Sequence, residues 1–313
     1  QLLSSPLTEH PIPSHIMVYE VQKRVQDAHE DAIWTVKWCD DLIVSGGSDE
    51  KVIARSVETL EQKYEVENLD WGCVCIESNR SQDLLACSSL DSKIHVLQAR
   101  TGHRTTVIDA SPVETWGIQF HPIQPLLASG SKSGNINLWS VETGERVQTF
   151  EPNGGFAMSV AFSSDGALLA CGSIDGVVSV FDVETAKRVH VMEAHTLPVR
   201  ALKFAPKSPV LYTGSDDKHI NMYDFSGPSE NLIASMSGHS SWVLSLDCSP
   251  DLKYVASGSA DKKVKVWEVA TQKCAHTFDS HTEPVWSVSY NADGTQLVSG
   301  SEDRSLVVYS TTR

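Results

Sequence analysis

Four histidines, His29, His195, His239 and His281, stand 20, 22, 22 and 22 residues ahead of four aspartates, Asp49, Asp217, Asp261 and Asp303. Ser45, Ser215, Ser257 and Ser299 lie beside those aspartates. A hydroxyl, an imidazole and a carboxylate are the parts of nucleophilic catalysis, in which the imidazole takes the hydroxyl proton and the acid orients the imidazole. That chemistry needs one site, whereas here the set recurs four times at nearly one spacing. Repetition favours a structural role for these residues and points to no catalytic residue. No phosphate-binding glycine loop, H-E-x-x-H or metal-spaced Cys and His cluster occurs, so no metal and no cofactor are expected.

The elements that must position these residues follow from a repeat. Seven short turns, "GGSDEKV", "SSLDSKI", "SKSGNI", "GSIDGVV", "GSDDKHI", "GSADKKV" and "GSEDRSL", align on Asp49, Asp91, Ser133, Asp175, Asp217, Asp261 and Asp303, at intervals of 42, 42, 42, 42, 44 and 42 residues. Each unit holds four short runs rich in Val, Leu, Tyr, Trp and Cys between turn clusters, which predicts a four-stranded antiparallel sheet. One such sheet cannot bury both faces by itself, and stacking seven around an axis covers all of them. The fold class is therefore all-β, a seven-bladed β-propeller over residues 16–313, preceded by a flexible, proline-broken arm over 1–15. The last unit ends after its third strand, "SLVVYS", and "HIMVYEVQKRV" precedes the first. The N-terminal segment is thus expected to supply the missing outer strand and close the ring.

Composition narrows the function. Apolar residues make up 41% of the 313 and charged residues 21%, ordinary globular usage, and no run is long and apolar enough to span a bilayer. The formal net charge of −15 argues against a direct grip on nucleic acid, whose affinity comes from Lys and Arg neutralising phosphates. Seven scattered cysteines, most in apolar runs, suggest reduced thiols and a cytoplasmic or nuclear setting. The opening residues do not have the pattern of a secretory signal, and the start on Gln1 rather than Met leaves open a segment upstream.

The tryptophans divide into two sets. Trp139 and Trp267 end third strands and are structural. Trp34, Trp71, Trp116, Trp242 and Trp286 gather at first-strand entries. Aligned with Trp34 stand Cys73, Trp116, Met158, Arg200, Leu244 and Trp286; two positions earlier come Ala32, Trp71, Glu114, Phe156, Pro198, Trp242 and Pro284. Strand alternation alone would bury Trp34 with Val36 and Trp38 in the core. Arg200 and Glu114 at those positions favour an exposed rim instead, since charges are rarely buried without partners. Strand entries ring the central opening of a propeller, and Trp and Arg dominate interface hot spots. The expected partner-binding set is Trp34, Trp71, Trp116, Phe156, Met158, Arg200, Trp242, Leu244 and Trp286.

With these motifs the chain resembles the WD-repeat propellers. The family's Gly-His stands at Gly238-His239 and is weakened to Ala28-His29, Ala194-His195 and Ser280-His281; its closing pair is Phe181-Asp182, Tyr223-Asp224 and Trp267-Glu268. The first two units end in Arg55-Ser56 and Leu97-Gln98, so their outer strands are expected to be irregular. "AHEDAIWTVKW", "SPVETWGIQF", "SIDGVVSVFDVETAKRV" and "SGHSSWVLSLDCSPD" resemble the branch shared by the superkiller complex and the polymerase-associated factor complex. In that family the His reaches the turn Asp, and a Ser or Thr and a Trp extend the network.

The resemblance implies a non-catalytic scaffold, monomeric as a propeller within a hetero-complex, in cytoplasm and nucleus. Its partners would be a tetratricopeptide-repeat protein and an RNA helicase serving exosome-mediated 3′ to 5′ mRNA decay, and the polymerase-associated factor subunits in transcription elongation. A histone-tail reader would use the same opening as an aromatic cage, against which Arg200 would repel a cation. A ubiquitin-ligase substrate receptor would carry an Arg two positions after the closing Asp; Val183-Glu184, Phe225-Ser226 and Val269-Ala270 follow here instead. A hydrolase lacks a unique constellation.

Overall fold

The computed structural model describes residues 18–112, 115–152, 154–227 and 229–312; the arm expected over 1–15 and Glu114 lie outside them. Among the described residues the chain forms seven four-stranded antiparallel sheets. The innermost strand of each blade touches that of the next, and the seventh touches the first, which closes the propeller. Seven apolar clusters form the core, one for each interface between neighbouring blades. Each blade thus buries both faces by stacking. Close stacking has a local requirement: a Cβ at Gly130, on a second strand, would come within 2.6 Å of the Ala157 carbonyl oxygen of the next blade.

The seventh blade takes its outer strand from Val18–Val25, paired antiparallel with Leu306–Thr312. Tyr19 is buried there and meets Tyr254 and Phe278 of the sixth blade edge to face, at 6.1 Å each. The closing strand therefore holds the ring through packing as well as through its ladder.

The outer strands of the first two blades correct one expectation. Gln62–Val66 and Arg104–Asp109 pair as regularly as the others, and both carry the same one-residue bulge at the end of the third strand that blades 3 to 6 show. Arg55, where blades 3 to 7 place an aromatic ring, compensates by donating from Nη2 to the Ala28 carbonyl at 2.8 Å. Hydrogen bonding at the strand end replaces aromatic packing.

Blade 2 contains an uncompensated group. His95 is buried, and neither ring nitrogen has a hydrogen-bond partner among the described residues. Burial, aided by Arg104, pushes its pKa down to about 4. A folded pKa below the unfolded value near 6.5 means that stability is full above that value and falls as pH drops toward 4. Between pH 7 and pH 5 this residue alone is expected to cost about 2 kcal/mol. Urea melts of His95→Gln beside the parent should show that much less loss; equal loss would place the titration elsewhere.

Candidate functional site

The His and Asp sets form four closed networks. His239 Nδ1 lies 2.8 Å from Asp261, its Nε2 lies 2.7 Å from Ser257 Oγ, and Trp267 Nε1 donates to the same Oγ at 2.8 Å. His29 meets Asp49 at 2.9 Å and Ser45 at 2.8 Å, and His281 meets Asp303 at 3.0 Å and Ser299 at 2.7 Å. His195 meets Asp217 at 2.9 Å but takes Thr213, at 2.7 Å, as its hydroxyl partner. Ser215 is two residues out of register for that role and donates to the Leu197 carbonyl instead. Burial alone would raise the Asp261 carboxyl; the His239 contact and the Ser240 and Lys263 amides outweigh it and hold the group at about 2. Ser45, Ser257 and Ser299 have no exposed surface. A hydroxyl closed off from any substrate is no nucleophile.

The central opening has a separate origin in the backbone. In every blade the pairing of the first with the second strand slips by a residue near its start, between Ile33 and Thr35, Cys73 and Cys75, Thr115 and Ile118, Ala157 and Ser159, Val199 and Ala201, Val243 and Ser245, and Val285 and Ser287. A bulge leaves one residue unpaired and re-aims its side chain. The unpaired residues are Trp34, Val74, Trp116 with Gly117, Met158, Arg200, Leu244 and Trp286, and all of them line one cavity of about 380 Å³. Trp34 is accordingly half-buried, whereas Val36 and Trp38 sit in the core.

Eight of the nine residues expected at the opening are at it or stacked on its lining. Phe156 packs edge to face on Trp116 at 5.4 Å, and the Arg200 guanidinium lies 5.0 Å from the ring centre of Trp242. Trp71 is the departure, and the alignment that put Cys73 level with Trp34 is corrected with it. The blade 2 register runs one residue later, so Val74 enters the cavity, Cys73 is fully buried between blades, and Trp71 is 70% exposed away from the lining. Gly72 takes the position two before Val74, at φ +93°, where a Cβ would come within 2.7 Å of the Trp34 ring. Leu244 counts as buried yet contributes to the wall.

Arg200 is half-buried and doubly bonded to Asp216, at 2.5 and 2.9 Å. Its presence therefore reflects a built-in counter-ion rather than an exposed rim. Glu302, the equivalent of Asp216 in blade 7, accepts from Trp286 Nε1 at 3.2 Å. Trp116 Nε1 is buried and has no acceptor among the described residues. Three residues below the bulges a second layer lines the channel with charge: Lys37 pairs with Glu77 at 2.8 Å and Lys203 with Asp247 at 2.9 Å, each across a blade interface. The Lys203 charge beside Asp247 outweighs burial and keeps that carboxyl below its usual range. Aromatic and apolar surface above paired charges makes an opening suited to a side chain or peptide segment. Among the described residues no three His, Cys, Asp or Glu side chains are grouped to hold a metal.

Seven bladed sheets with His to Asp networks at four strand entries define a WD-repeat propeller, and the chain belongs to that family. The family model for the echinoderm microtubule-associated protein second beta-propeller matches residues 115–278, and that for the WD domain, G-beta repeat, matches 272–310. Among curated relatives, Superkiller complex protein 8 of Dictyostelium discoideum is 40% identical over 26% of this chain and 28% of its own length. WD repeat-containing protein VIP3 of Arabidopsis thaliana is 36% identical over 32% of this chain and 33% of its own. Eukaryotic translation initiation factor 3 subunit I of Pyricularia oryzae is 36% identical over 23% of this chain and 21% of its own. The matched segments thus span a fifth to a third of these relatives. The expected likeness to the superkiller branch stands among them.

Proposed function

We propose that this propeller is a non-catalytic scaffold that captures a segment of a partner protein in its upper opening. The observation that carries this is the set of seven bulges, which turn seven unlike residues, three of them tryptophan, into one cavity. The rings of Trp34, Trp116 and Trp286 and the side chains of Val74, Met158 and Leu244 give that cavity a largely apolar wall, with the paired Arg200 as its charged member. Of the assemblies that use such scaffolds, the resemblance and the Dictyostelium relative favour the superkiller complex, with its tetratricopeptide-repeat protein and RNA helicase in the cytoplasm. The same subunit would serve the polymerase-associated factor complex in the nucleus. RNA would be held by the partners, in keeping with the acidic charge.

Affinity capture from cytoplasmic and nuclear fractions, read by mass spectrometry, tests the assignment; recovery of neither complex overturns it. The double variant Trp34→Ala with Trp116→Ala is expected to weaken capture about a thousandfold, roughly 4 kcal/mol, since truncating a hot-spot Trp costs about 2 kcal/mol or more. Its melting temperature should stay close to that of the parent. Parallel loss of binding and stability would make these residues core. A cationic reader is the second reading, favoured by Asp216, which neutralises the Arg200 charge that would repel a cation. A trimethyl-lysine peptide in the same assay, captured in place of the complexes, would select it.

A further inference from the structure

Blade 3 is built like blade 6 but lacks its histidine. Trp139 holds the post of Trp267, and its Nε1 donates to Ser129 Oγ at 2.8 Å, as Trp267 donates to Ser257. In blade 6 the His239 ring stands 5.8 Å from the Trp267 ring. In blade 3 the residues at the His and Asp positions are Ser111 and Ser133, too small to fill that place. A cavity of about 480 Å³ remains, with Asp109, Ser111, Ser133, Asn137, Trp139 and Arg146 in its wall.

We propose that this slot is a docking pocket for a neutral imidazole, the side chain of a histidine presented by a partner protein. The polar groups match that ring. A neutral imidazole carries one N–H donor and one acceptor nitrogen. The Asp109 carboxylate can only accept, and it is held below its usual range by the Ser111 hydroxyl and amide. Asn137 Oδ1 accepts from the Thr149 hydroxyl at 2.9 Å, and the Asn137 amide N–H groups and the Arg146 guanidinium are donors. Arg146 disfavours the protonated ring and opposes the pull of the Asp109 carboxylate toward it, and Trp139 stands where Trp267 meets the His239 ring edge to face in blade 6. The protein already seats an imidazole beside an aspartate within its own chain four times, at His29, His195, His239 and His281; in blade 3 the ring would come from outside. The site stands apart from the central opening and does not depend on the function proposed for it.

The probe is N-acetylhistidine methylamide, titrated into the full chain labelled with nitrogen-15. The Trp139 indole resonance, assigned with Trp139→Phe, is expected to shift saturably at pH 8 and to need roughly tenfold more probe at pH 5.5, where about a tenth of the rings are neutral. Asp109→Asn, at an exposed position, should weaken binding at least tenfold. The pair S111H and S133D supplies the ring and its acid in cis and is expected to abolish the response. No shift at pH 8, tighter binding at pH 5.5, or an unchanged response in Asp109→Asn would each overturn the proposal.

Discussion

A chain that begins at Gln26 is expected to lose cooperative folding. Without Val18–Val25 the last blade keeps three strands, and Leu306–Thr312 becomes an open edge facing the first blade's connection. The loss includes the antiparallel ladder, the burial of Tyr19 against Tyr254 and Phe278, and the Lys23 contact to the Val57 carbonyl at 3.0 Å. Each ladder bond contributes about 1 kcal/mol net and a buried aromatic side chain about 3 kcal/mol, so the sum reaches roughly 5 to 10 kcal/mol. A domain commonly has about 5 to 15 kcal/mol in all. Circular dichroism melts measure this directly. The single change Tyr19→Ala, expected to cost about 3 to 5 kcal/mol, separates packing from the ladder. A truncated chain that melts with the parent would mean that the ring is closed by blade packing alone.

The sequence made the ring legible because its period is nearly strict, and the closing strand followed from a last unit short by one run. The four networks were legible for the same reason. Even their absence has a pattern: blades 2 and 4 have no histidine at the network position, and their second strands carry Cys87 and Cys171 where the networks place a hydroxyl. Without an imidazole to satisfy, that position can turn apolar. The opening was legible only in part. A bulge is a feature of pairing, and no residue type announces it here: Trp34, Val74, Met158 and Leu244 fill the same bulge. Strand alternation predicted burial of Trp34 beside Val36 and Trp38, and the extra residue reversed it. Counting back from the blade 2 turn would have placed Val74, not Cys73, in register, 42 residues before Trp116. The Asp216 counter-ion of Arg200 was hidden because a neighbour of the turn aspartate reads as loop until the register is known.

The second large effect belongs to Asp261. Asp261→Ala removes the acceptor of His239 Nδ1 at 2.8 Å and of the Ser240 and Lys263 amides at 2.9 and 3.1 Å. It strands a buried imidazole whose other nitrogen is fixed by Ser257, so the loss exceeds that of one hydrogen bond and is expected at about 3 to 5 kcal/mol. Asp175→Ala is the control inside the same molecule. Asp175 is the turn aspartate of blade 4, meets only the Ser173 hydroxyl and the Gly155 and Val177 amides among the described residues, and should cost about 1 kcal/mol. The pH dependence separates the two further. A carboxyl held at about 2, below its unfolded value near 3.9, contributes stability that is present above pH 3.9 and lost as pH falls toward 2. Over that window the parent is expected to lose about 2 kcal/mol that Asp261→Ala does not. Equal costs for Asp261→Ala and Asp175→Ala in urea melts at pH 7 would mean that the histidine adds nothing to the turn, and the networks would then have to be explained by function.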